Sequence, residues 1–461
     1  MFLGLFSIIP NTVPEGIIIN EGSSVSNDVN ATESSSVPPA SFRWFLVARG
    51  AAVVSFQMVG VAVAWQMYEL THRALDLGLV GLVQFIPSVL LMLLVGHSAD
   101  RYDRRRIIAF AQIIEAAAVL LLCWAAFGQW VSRELLFVFI FSVGVARAFE
   151  APTTQTLVPS LVEQKALPKA MAINASVMQG AIILGPMLGG FLYIAGPAVV
   201  YGISVFLFLI SAAIISCITI RRVPLRREPV SLKTIFAGIS YIRSKPVLLG
   251  AISFDLFAVL LGGATALLPI YARDILFASP RGLGLLRSAP AVGAFAASLY
   301  LTRFPLVKNV GKSMFNAVIW FGLATIIFAL SRSILLSFLA LVLLGWADML
   351  SVVIRSSLVQ LETPDEMRGR VSAVNSVFIG ASNQLGEFES GVTAAWFGVV
   401  PAAVIGGVGT LGIVALWRFL FPELAQRDRL HEKQEEHNSP SPSYLKRGAK
   451  GKDSFKVTAK V

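Results

Sequence analysis

Ionisable side chains stand inside long apolar runs of this 461-residue sequence. Arg147 and Glu150 are three residues apart, so they share one face of a helix. Asp348 and Arg355 are seven apart and share a face as well. Charged groups in an apolar medium are costly, and they usually line a cavity or pair with each other. The chemistry that such residues could perform is the binding and release of protons, and the alternative is structural pairing.

Four further acids in the apolar runs are candidates for the same role. Glu387 and Glu389 are two residues apart and point about 200° apart on a helix, so both are not expected to face one cavity. We expect Glu387 to face it, since it occupies the position equivalent to Pro186 in the internal repeat described below. Asp255 and Glu115 are single acids, for which a proton carrier and a packing or hydrogen-bonding residue remain open interpretations.

An internal repeat relates the two halves of the chain. Residues 144–190 align with 345–391 at a constant offset of 201, without a gap. The repeat predicts two halves related by duplication, with a substrate path at their interface. Arg147 aligns with Asp348, so we expect attraction across the cavity floor in a closed state until Asp348 is protonated. The identical pairs are Gly144/Gly345, Ala146/Ala347, Leu157/Leu358, Val158/Val359, Ala172/Ala373, Asn174/Asn375, Leu184/Leu385, Gly185/Gly386 and Gly190/Gly391.

The composition indicates a polytopic membrane protein. Apolar residues make up 56% of the chain and charged residues 14%, whereas soluble domains carry about a quarter charged residues. The net charge of +11 does not suggest a nucleic-acid partner, because the basic residues cluster in short loops and in the C-terminal tail. The lipid bilayer is therefore the expected surrounding of the chain.

Twelve apolar segments are each long enough to span a bilayer. The loops after even-numbered segments carry most of the basic residues, so both termini are expected in the cytoplasm. The predicted spans are 44–68, 78–99, 107–129, 134–158, 169–194, 197–220, 247–272, 281–302, 310–331, 334–360, 367–397 and 400–421. The predicted fold class is thus an all-α polytopic membrane protein with two pseudo-symmetric six-helix bundles.

The longest internal loop divides these spans six and six. We expect a six-helix half at 42–220, a linker with an amphipathic interfacial helix at 221–246, and a second half at 247–421. Residues 1–41 and 422–461 are expected to be disordered cytoplasmic extensions, because both are polar outside their first residues.

An arginine-rich loop follows the second span and reads GHSADRYDRRR over residues 96–106. Gly96 allows close approach of a neighbouring helix, and Asp100 could sit against that helix's positive end. Asp100 can also pair with Arg104, so that this loop, with Arg101, could latch and unlatch.

Two motifs resemble the major facilitator superfamily. The loop is similar to its signature between helices 2 and 3, although Asp103 stands where many members have glycine. In the fifth span, the glycines and proline of Gly-Pro-x-x-Gly-Gly match the antiporter signature of drug:proton exporters. The matching residues are Gly185, Pro186, Gly189 and Gly190.

The stretches ARAFEAPTTQTLVPSLV and MRGRVSAVNSVFIGASNQLGEFESG are similar to the bacterial enterobactin-exporter-like branch, a resemblance that covers residues 42–421. It implies a twelve-helix, proton-driven exporter of siderophores, drugs or other amphiphiles in the bacterial cytoplasmic membrane. Arg147 resembles the fourth-span arginine of proton-coupled exporters in this superfamily.

The sequence is also compatible with other functions. A proton-coupled importer or a lysophospholipid flippase would have the same fold, and a non-transporting sensor is a third possibility. A membrane enzyme is disfavoured, because the four histidines form no metal set or catalytic triad. We expect no cofactor, since no phosphate-binding glycine loop follows a strand, and we expect a monomer that uses the proton gradient.

Overall fold

Twelve long helices follow one another in the described part of the chain. The structure is a computed structural model and describes residues 40–91, 94, 95, 98, 102–218, 232–306 and 308–430. The helices are α1 Ala40–Thr71, α2 Ala74–Leu90, α3 Arg104–Phe127, α4 Arg133–Leu161, α5 Leu167–Leu192, α6 Pro197–Cys217, α7 Pro246–Leu261, α8 Pro280–Arg303, α9 Val310–Leu330, α10 Ile334–Leu361, α11 Asp365–Phe397 and α12 Val399–Leu420.

Ten of these helices, counting α5 and α7 with their short continuations, are long and apolar enough to cross a membrane. The other two are α2, which is apolar but only 17 residues long as described, and α11, which carries several charged side chains. The helices are consistent with the twelve predicted spans, and the predicted all-α membrane fold is confirmed.

The same five helix pairings occur in each half of the bundle. In the first half α3 packs against α4 and α6, α1 packs against α5 and α6, and α2 packs against α4. In the second half α9 packs against α10 and α12, α7 against α11 and α12, and α8 against α10. Adding six to each helix number converts the first set into the second, so the halves are pseudo-symmetric.

Two equivalent helix pairs join the halves, α2 with α11 and α5 with α8. Glycines allow the backbones to meet at both seams. A Cβ atom added to Gly391 would lie 2.6 Å from the Cα atom of Gly78, and one added to Gly190 would lie 2.4 Å from the carbonyl oxygen of Pro280. Small residues commonly permit such close contact between membrane helices.

The seventh span is broken after α7. Gly262 and Gly263 end the helix, and a 3₁₀ turn at Ala264–Leu267 and a π-helical turn at Tyr271–Ile275 continue the span. A Cβ atom on Gly263 would lie 2.4 Å from the carbonyl oxygen of Gly386 in α11. The break therefore brings the backbones of α7 and α11 together where α11 approaches the other half.

A helix at Leu232–Ser244 lies in the predicted linker and packs against α11. Its Ile242 is buried, and its Tyr241 hydroxyl donates a hydrogen bond of 2.9 Å to the Glu362 carbonyl oxygen at the end of α10. The linker helix thus braces the turn between α10 and α11.

The expectation of disorder throughout residues 422–461 is wrong for its first nine residues. A short helix at Pro422–Gln426 buries Leu424 completely. The carbonyl oxygens of Arg427 and Asp428 accept hydrogen bonds from the Gly311 and Val310 amides at the start of α9, at 2.9 and 3.2 Å. The tail orders here because the first N–H groups of a helix need partners outside it. Residues 431–461 lie outside the described residues, as do 1–39.

We predict that Gly190→Ala destabilises the seam between α5 and α8. The added methyl group would overlap the Pro280 carbonyl oxygen, and overpacking of this kind costs about 1–3 kcal/mol. The free energy of unfolding, measured by steric trapping in bicelles, should fall by that amount. Gly180→Ala on the same helix is the matched control, because its added methyl group meets no atom within 4 Å. Equal effects of the two substitutions would contradict the close-packed seam.

Candidate functional site

A cavity of about 330 Å³ lies between the two halves. Residues of α1, α2 and α4 form much of its wall, and the other half contributes residues of α8, α11 and the broken seventh span. Most of the lining is apolar, including Phe56, Phe139 and Phe208. A space of this size at the interface of two repeats is the expected position of a substrate site.

The polar part of the lining consists of amides, one threonine hydroxyl and one pair of opposite charges. Gln57, Gln84 and Gln384 supply the amides, and Arg287 and Glu387 supply the charges. The Glu387 carboxylate attracts the Arg287 guanidinium electrostatically, but the two groups form no direct ion pair. A small molecule in the cavity would therefore meet both signs of charge.

Glycines on the facing helices make room for these two charges. The Oε2 atom of Glu387 lies 2.6 Å from the place that a Cβ atom on Gly81 of α2 would occupy. The Nη1 atom of Arg287 lies 3.4 Å from the equivalent place at Gly60 of α1. Both charged side chains thus extend from the second half toward the first.

The two neighbouring acids of α11 lie in different surroundings. The structure places Glu387 in the cavity lining. Glu389 accepts a hydrogen bond of 2.7 Å from the Thr393 hydroxyl one turn further along α11. The different directions agree with their two-residue spacing on a helix.

A cluster of charged residues in the first half lies beside the cavity. Arg147 Nη1 is 3.8 Å from Glu150 Oε2, and Gln112 Nε2 donates to Glu150 Oε1 at 2.9 Å. The guanidinium of Arg147 also stacks on Phe56, with 3.8 Å between its central carbon and the ring centroid. Because Phe56 lines the cavity, this ring separates the cavity from the charge cluster.

Glu115 is the least satisfied member of this cluster. Its side chain is completely buried, and neither carboxylate oxygen has a hydrogen-bond partner in the described part of the chain. The charges of Glu150 and Arg147 act on it electrostatically. Burying an unpaired carboxylate costs several kcal/mol, whereas the protonated acid avoids most of that cost.

The second half contains a different charge cluster. Arg355 Nη2 lies 3.2 Å from Asp255 Oδ2, and its Nη1 donates to Asn375 Oδ1 at 3.1 Å. Ser351 donates to Asp255 at 3.3 Å, and Asp348 lies beside Asp255 in the lining of a small cavity of about 10 Å³. Asp255 is therefore one partner of an ion pair.

The attraction predicted between Arg147 and Asp348 is not formed in this structure. Arg147 contacts Glu150 and Phe56 in the first half, and Asp348 lies with Asp255 in the second. Equivalent positions in a duplicated sequence give the two residues equivalent depths, but they do not bring the side chains together.

The glycine-proline motif of α5 contacts two helices. A Cβ atom on Gly185 would lie 2.5 Å from the Gln57 side chain, and one on Gly189 would lie 2.8 Å from the Met58 backbone, both in α1. Gly190 faces α8, and Pro186 lines the cavity. The motif therefore packs α5 closely against α1 and α8 at the cavity wall.

The arginine-rich loop is described only at its end. Gly96, Asp100 and Arg101 lie outside the described residues, so the predicted latch is not described. Arg104 Nη1 donates to the Thr156 carbonyl oxygen at 3.2 Å. Asp103, the residue that replaces the usual glycine, caps α3, and hydrogen bonds from Arg105 hold the pKa of its carboxyl below the usual value.

Polar contacts join the halves at the end of the bundle where α1 ends, which we call the distal end. The Tyr68 hydroxyl of α1 donates a hydrogen bond to the Asp274 carboxylate of the broken seventh span. The guanidinium of Arg281 in α8 lies 5.0 Å from the ring centroid of Phe191 in α5. These contacts link the two halves at the distal end.

Several polar cavity residues were not identified from the sequence. Arg287 is an ionisable residue well inside the predicted span 281–302, so the rule that selected the other charged residues would have found it. The three cavity glutamines give no comparable signal, because an amide in a membrane helix does not reveal which side of the helix faces a cavity.

Comparisons with known proteins place this architecture in a family. Residues 34–446 match the family described as transmembrane secretion effector. The enterobactin exporter EntS of Citrobacter koseri is 27% identical over 393 residues, which cover 83% of this chain and 92% of that protein. EntS of Escherichia coli is also 27% identical, over 391 residues with the same coverage.

Solved structures show the same fold at lower sequence identity. The nucleoside transporter NupG has a TM-score of 0.68 and 14% identity, over 83% of this chain and all of that one. A bacterial homologue of the iron transporter ferroportin, in an inward-facing state, has a TM-score of 0.63 and 18% identity, over 84% of this chain and 99% of that one. The chain therefore belongs to the transmembrane secretion effector family, and it is a major facilitator transporter of small molecules rather than an enzyme.

Proposed function

We propose that this transporter exports a small amphiphilic molecule, siderophore-like or drug-like, in exchange for protons. The observation that carries the proposal is Glu115, a fully buried acid whose carboxylate oxygens have no partner among the described residues. A carboxyl group in that position is costly when charged, so gaining or losing its proton should change the energy of the surrounding helices by several kcal/mol.

Export is the direction that the family favours. The two relatives described above are named as enterobactin exporters, and they match this chain over most of its length. The motif of Gly185, Pro186, Gly189 and Gly190 resembles the antiporter signature of drug:proton exporters. The mostly apolar cavity with a few polar groups suits an amphiphile.

A chain of contacts connects the acid to the cavity. A ligand that touches Phe56 would disturb the ring on which Arg147 stacks. Arg147 pairs with Glu150, and both of their charges act on Glu115. Substrate binding and proton binding would in this way change each other's free energy, as energetic coupling between two sites requires.

Alternating access follows from the arrangement of the halves. In the proposed cycle, the contacts at the distal end would hold the cavity shut on that side. Rocking of one half against the other about the α2–α11 and α5–α8 seams would open it there and close the opposite side. The basic loops favour a cytoplasmic position for the opposite side and for both termini. In this proposal the chain acts as a monomer in the inner membrane of a bacterium.

The direct test is a proton-flux assay in energised inside-out membrane vesicles. Siderophores, cationic drugs and lysolipids are added one at a time, and collapse of the pH gradient is recorded. A substrate that dissipates the gradient with wild-type protein, but not with Asp348→Asn or Glu115→Gln, would support proton-coupled export. Transport that does not respond to the gradient, or accumulation in the opposite direction, would favour flipping or uptake instead.

We predict that Glu115→Gln uncouples transport while the protein still folds. The amide has nearly the same shape but cannot take up a proton, so substrate-driven proton flux should fall by at least about tenfold, the factor that 1.4 kcal/mol represents. Glu134→Gln is the matched control, because Glu134 is an exposed acid at the start of α4. Flux that is equally low in both variants, or unchanged in both, would contradict the role of Glu115.

We also predict that Phe56→Leu weakens coupling more than it weakens substrate binding. The substitution removes a cation–π contact of about 0.5–2 kcal/mol, so the change in substrate affinity between pH 6 and pH 8 should shrink by about two- to thirtyfold. Phe56→Tyr retains the contact and should restore the pH dependence.

Phe139→Leu is the control for the aromatic cavity wall, because Phe139 also lines the cavity. It should lower the affinity at every pH and leave the pH dependence intact. If it removed the pH dependence as fully as Phe56→Leu does, the proposed role of Phe56 would be wrong.

A further inference from the structure

We propose that Arg287 and Glu387 together bind the polar head of the substrate, and that this head is zwitterionic: it carries an acidic group for Arg287 and a separate cationic group for Glu387. The proposal rests on the transport function proposed above and names the class of its substrate. It is carried by the placement of the two side chains in the lining of the central cavity.

Both charges are available to a ligand. Arg287 and Glu387 line the same cavity, and in the described part of the chain neither makes a hydrogen bond or a direct ion pair. Two other arginines in the membrane do form ion pairs: Arg355 pairs with Asp255, and Arg147 pairs with Glu150. Two opposite charges that share a cavity without meeting leave their strongest interactions to whatever occupies the space between them.

The charge balance selects a zwitterion over an ion of either sign. A cation would gain from Glu387 but would be repelled by Arg287, and an anion would meet the reverse situation. A head with both groups can bind each side chain through a charge-assisted hydrogen bond, the stronger kind of hydrogen bond. A neutral ligand would displace water from Arg287 and Glu387 without offering either side chain an opposite charge in its place, which is unfavourable in a cavity lined mostly by apolar residues.

The geometry also fixes which end of the ligand is polar. Arg287 and Glu387 project from α8 and α11 of the second half, and their head groups reach Gly60 and Gly81 of the first half. The aromatic wall, with Phe56 and Phe139, belongs to the first half. An amphiphile with its head between the charges would therefore place its apolar body against the aromatic wall.

Three probes that share one aromatic body test the selectivity. They are 2-naphthylalanine, a zwitterion; 2-(2-naphthyl)ethylamine, a cation; and 3-(2-naphthyl)propanoate, an anion. Their dissociation constants are measured on purified full-length protein in nanodiscs by naphthyl fluorescence, without a proton gradient. For wild-type protein we expect the zwitterion to bind at least about tenfold more tightly than either singly charged probe, because each of those lacks one charge-assisted contact.

Two variants should change the ranking in opposite directions. Arg287→Gln should weaken binding of the zwitterion about tenfold. In this variant the cation should then bind at least as tightly as the zwitterion. Glu387→Gln should also weaken binding of the zwitterion about tenfold, and in this variant the anion should bind at least as tightly as the zwitterion. Glu389→Gln is the matched control on α11, since the Glu389 carboxylate is bonded to Thr393, and it should leave the wild-type ranking unchanged.

The proposal is overturned if folded wild-type protein binds the cation or the anion as tightly as the zwitterion, or binds no zwitterion. It is also overturned if the two charge-removing variants keep the wild-type ranking. Binding without a gradient reports on the head-group site alone, whereas the vesicle assay reports on coupling. If the zwitterion preference fails while substrate-driven proton flux is intact, this inference is rejected and the proposed export stands. If the zwitterion preference is found but no substrate drives proton flux, the head-group site stands and the proposed proton-coupled export is rejected.

Discussion

The cost of placing charge in an apolar medium constrains the whole of this structure. Each ionisable group within the bundle must be paired, face a cavity or be neutral. Asp255 and Arg355 satisfy the rule by pairing, at 3.2 Å, and Arg287 and Glu387 satisfy it by facing a cavity of about 330 Å³. Glu115 neither pairs nor faces the cavity, because it is fully buried and has no hydrogen-bond partner in the described chain, so the neutral acid is the remaining option. The account of proton coupling depends on that difference.

The second constraint is the close contact of the halves. The paired seams, α2 with α11 and α5 with α8, bring glycine backbones of the two halves together. Packed interfaces tend to be bistable rather than continuously deformable, which suits a rocking motion between two states. The two halves have the same five helix pairings, so the two walls of the cavity are built from the same arrangement of helices.

Sequence patterns predicted the spans well, because a helix that crosses a bilayer needs about 20 mostly apolar residues, and such runs are visible in the sequence. They predicted less about partners. Arg147 and Asp348 occupy equivalent positions, yet Arg147 pairs with Glu150 in the first half and Asp348 lies beside Asp255 in the second, since periodicity gives depth and face but not distance. The ordered segment at Pro422–Gln426 was missed because its stability comes from the start of α9, which is remote in sequence. Arg287 is an ionisable residue inside a predicted span, so the rule applied to the other intramembrane charges also selects it.

The central claim is that protonation of Glu115 shifts the balance between the two orientations of the halves. Spin labels at Met171 near the start of α5 and at Arg303 at the end of α8 would lie on different halves at the end of the bundle opposite the distal end. Both positions are exposed, and Cys217 would be replaced by serine. Double electron–electron resonance at pH 5.5 and pH 8 would then measure the distance between the halves. The account predicts a distance distribution that changes with pH in otherwise wild-type protein and does not change when Glu115→Gln is added. An equal pH-dependent change in both proteins, or none in either, would contradict it.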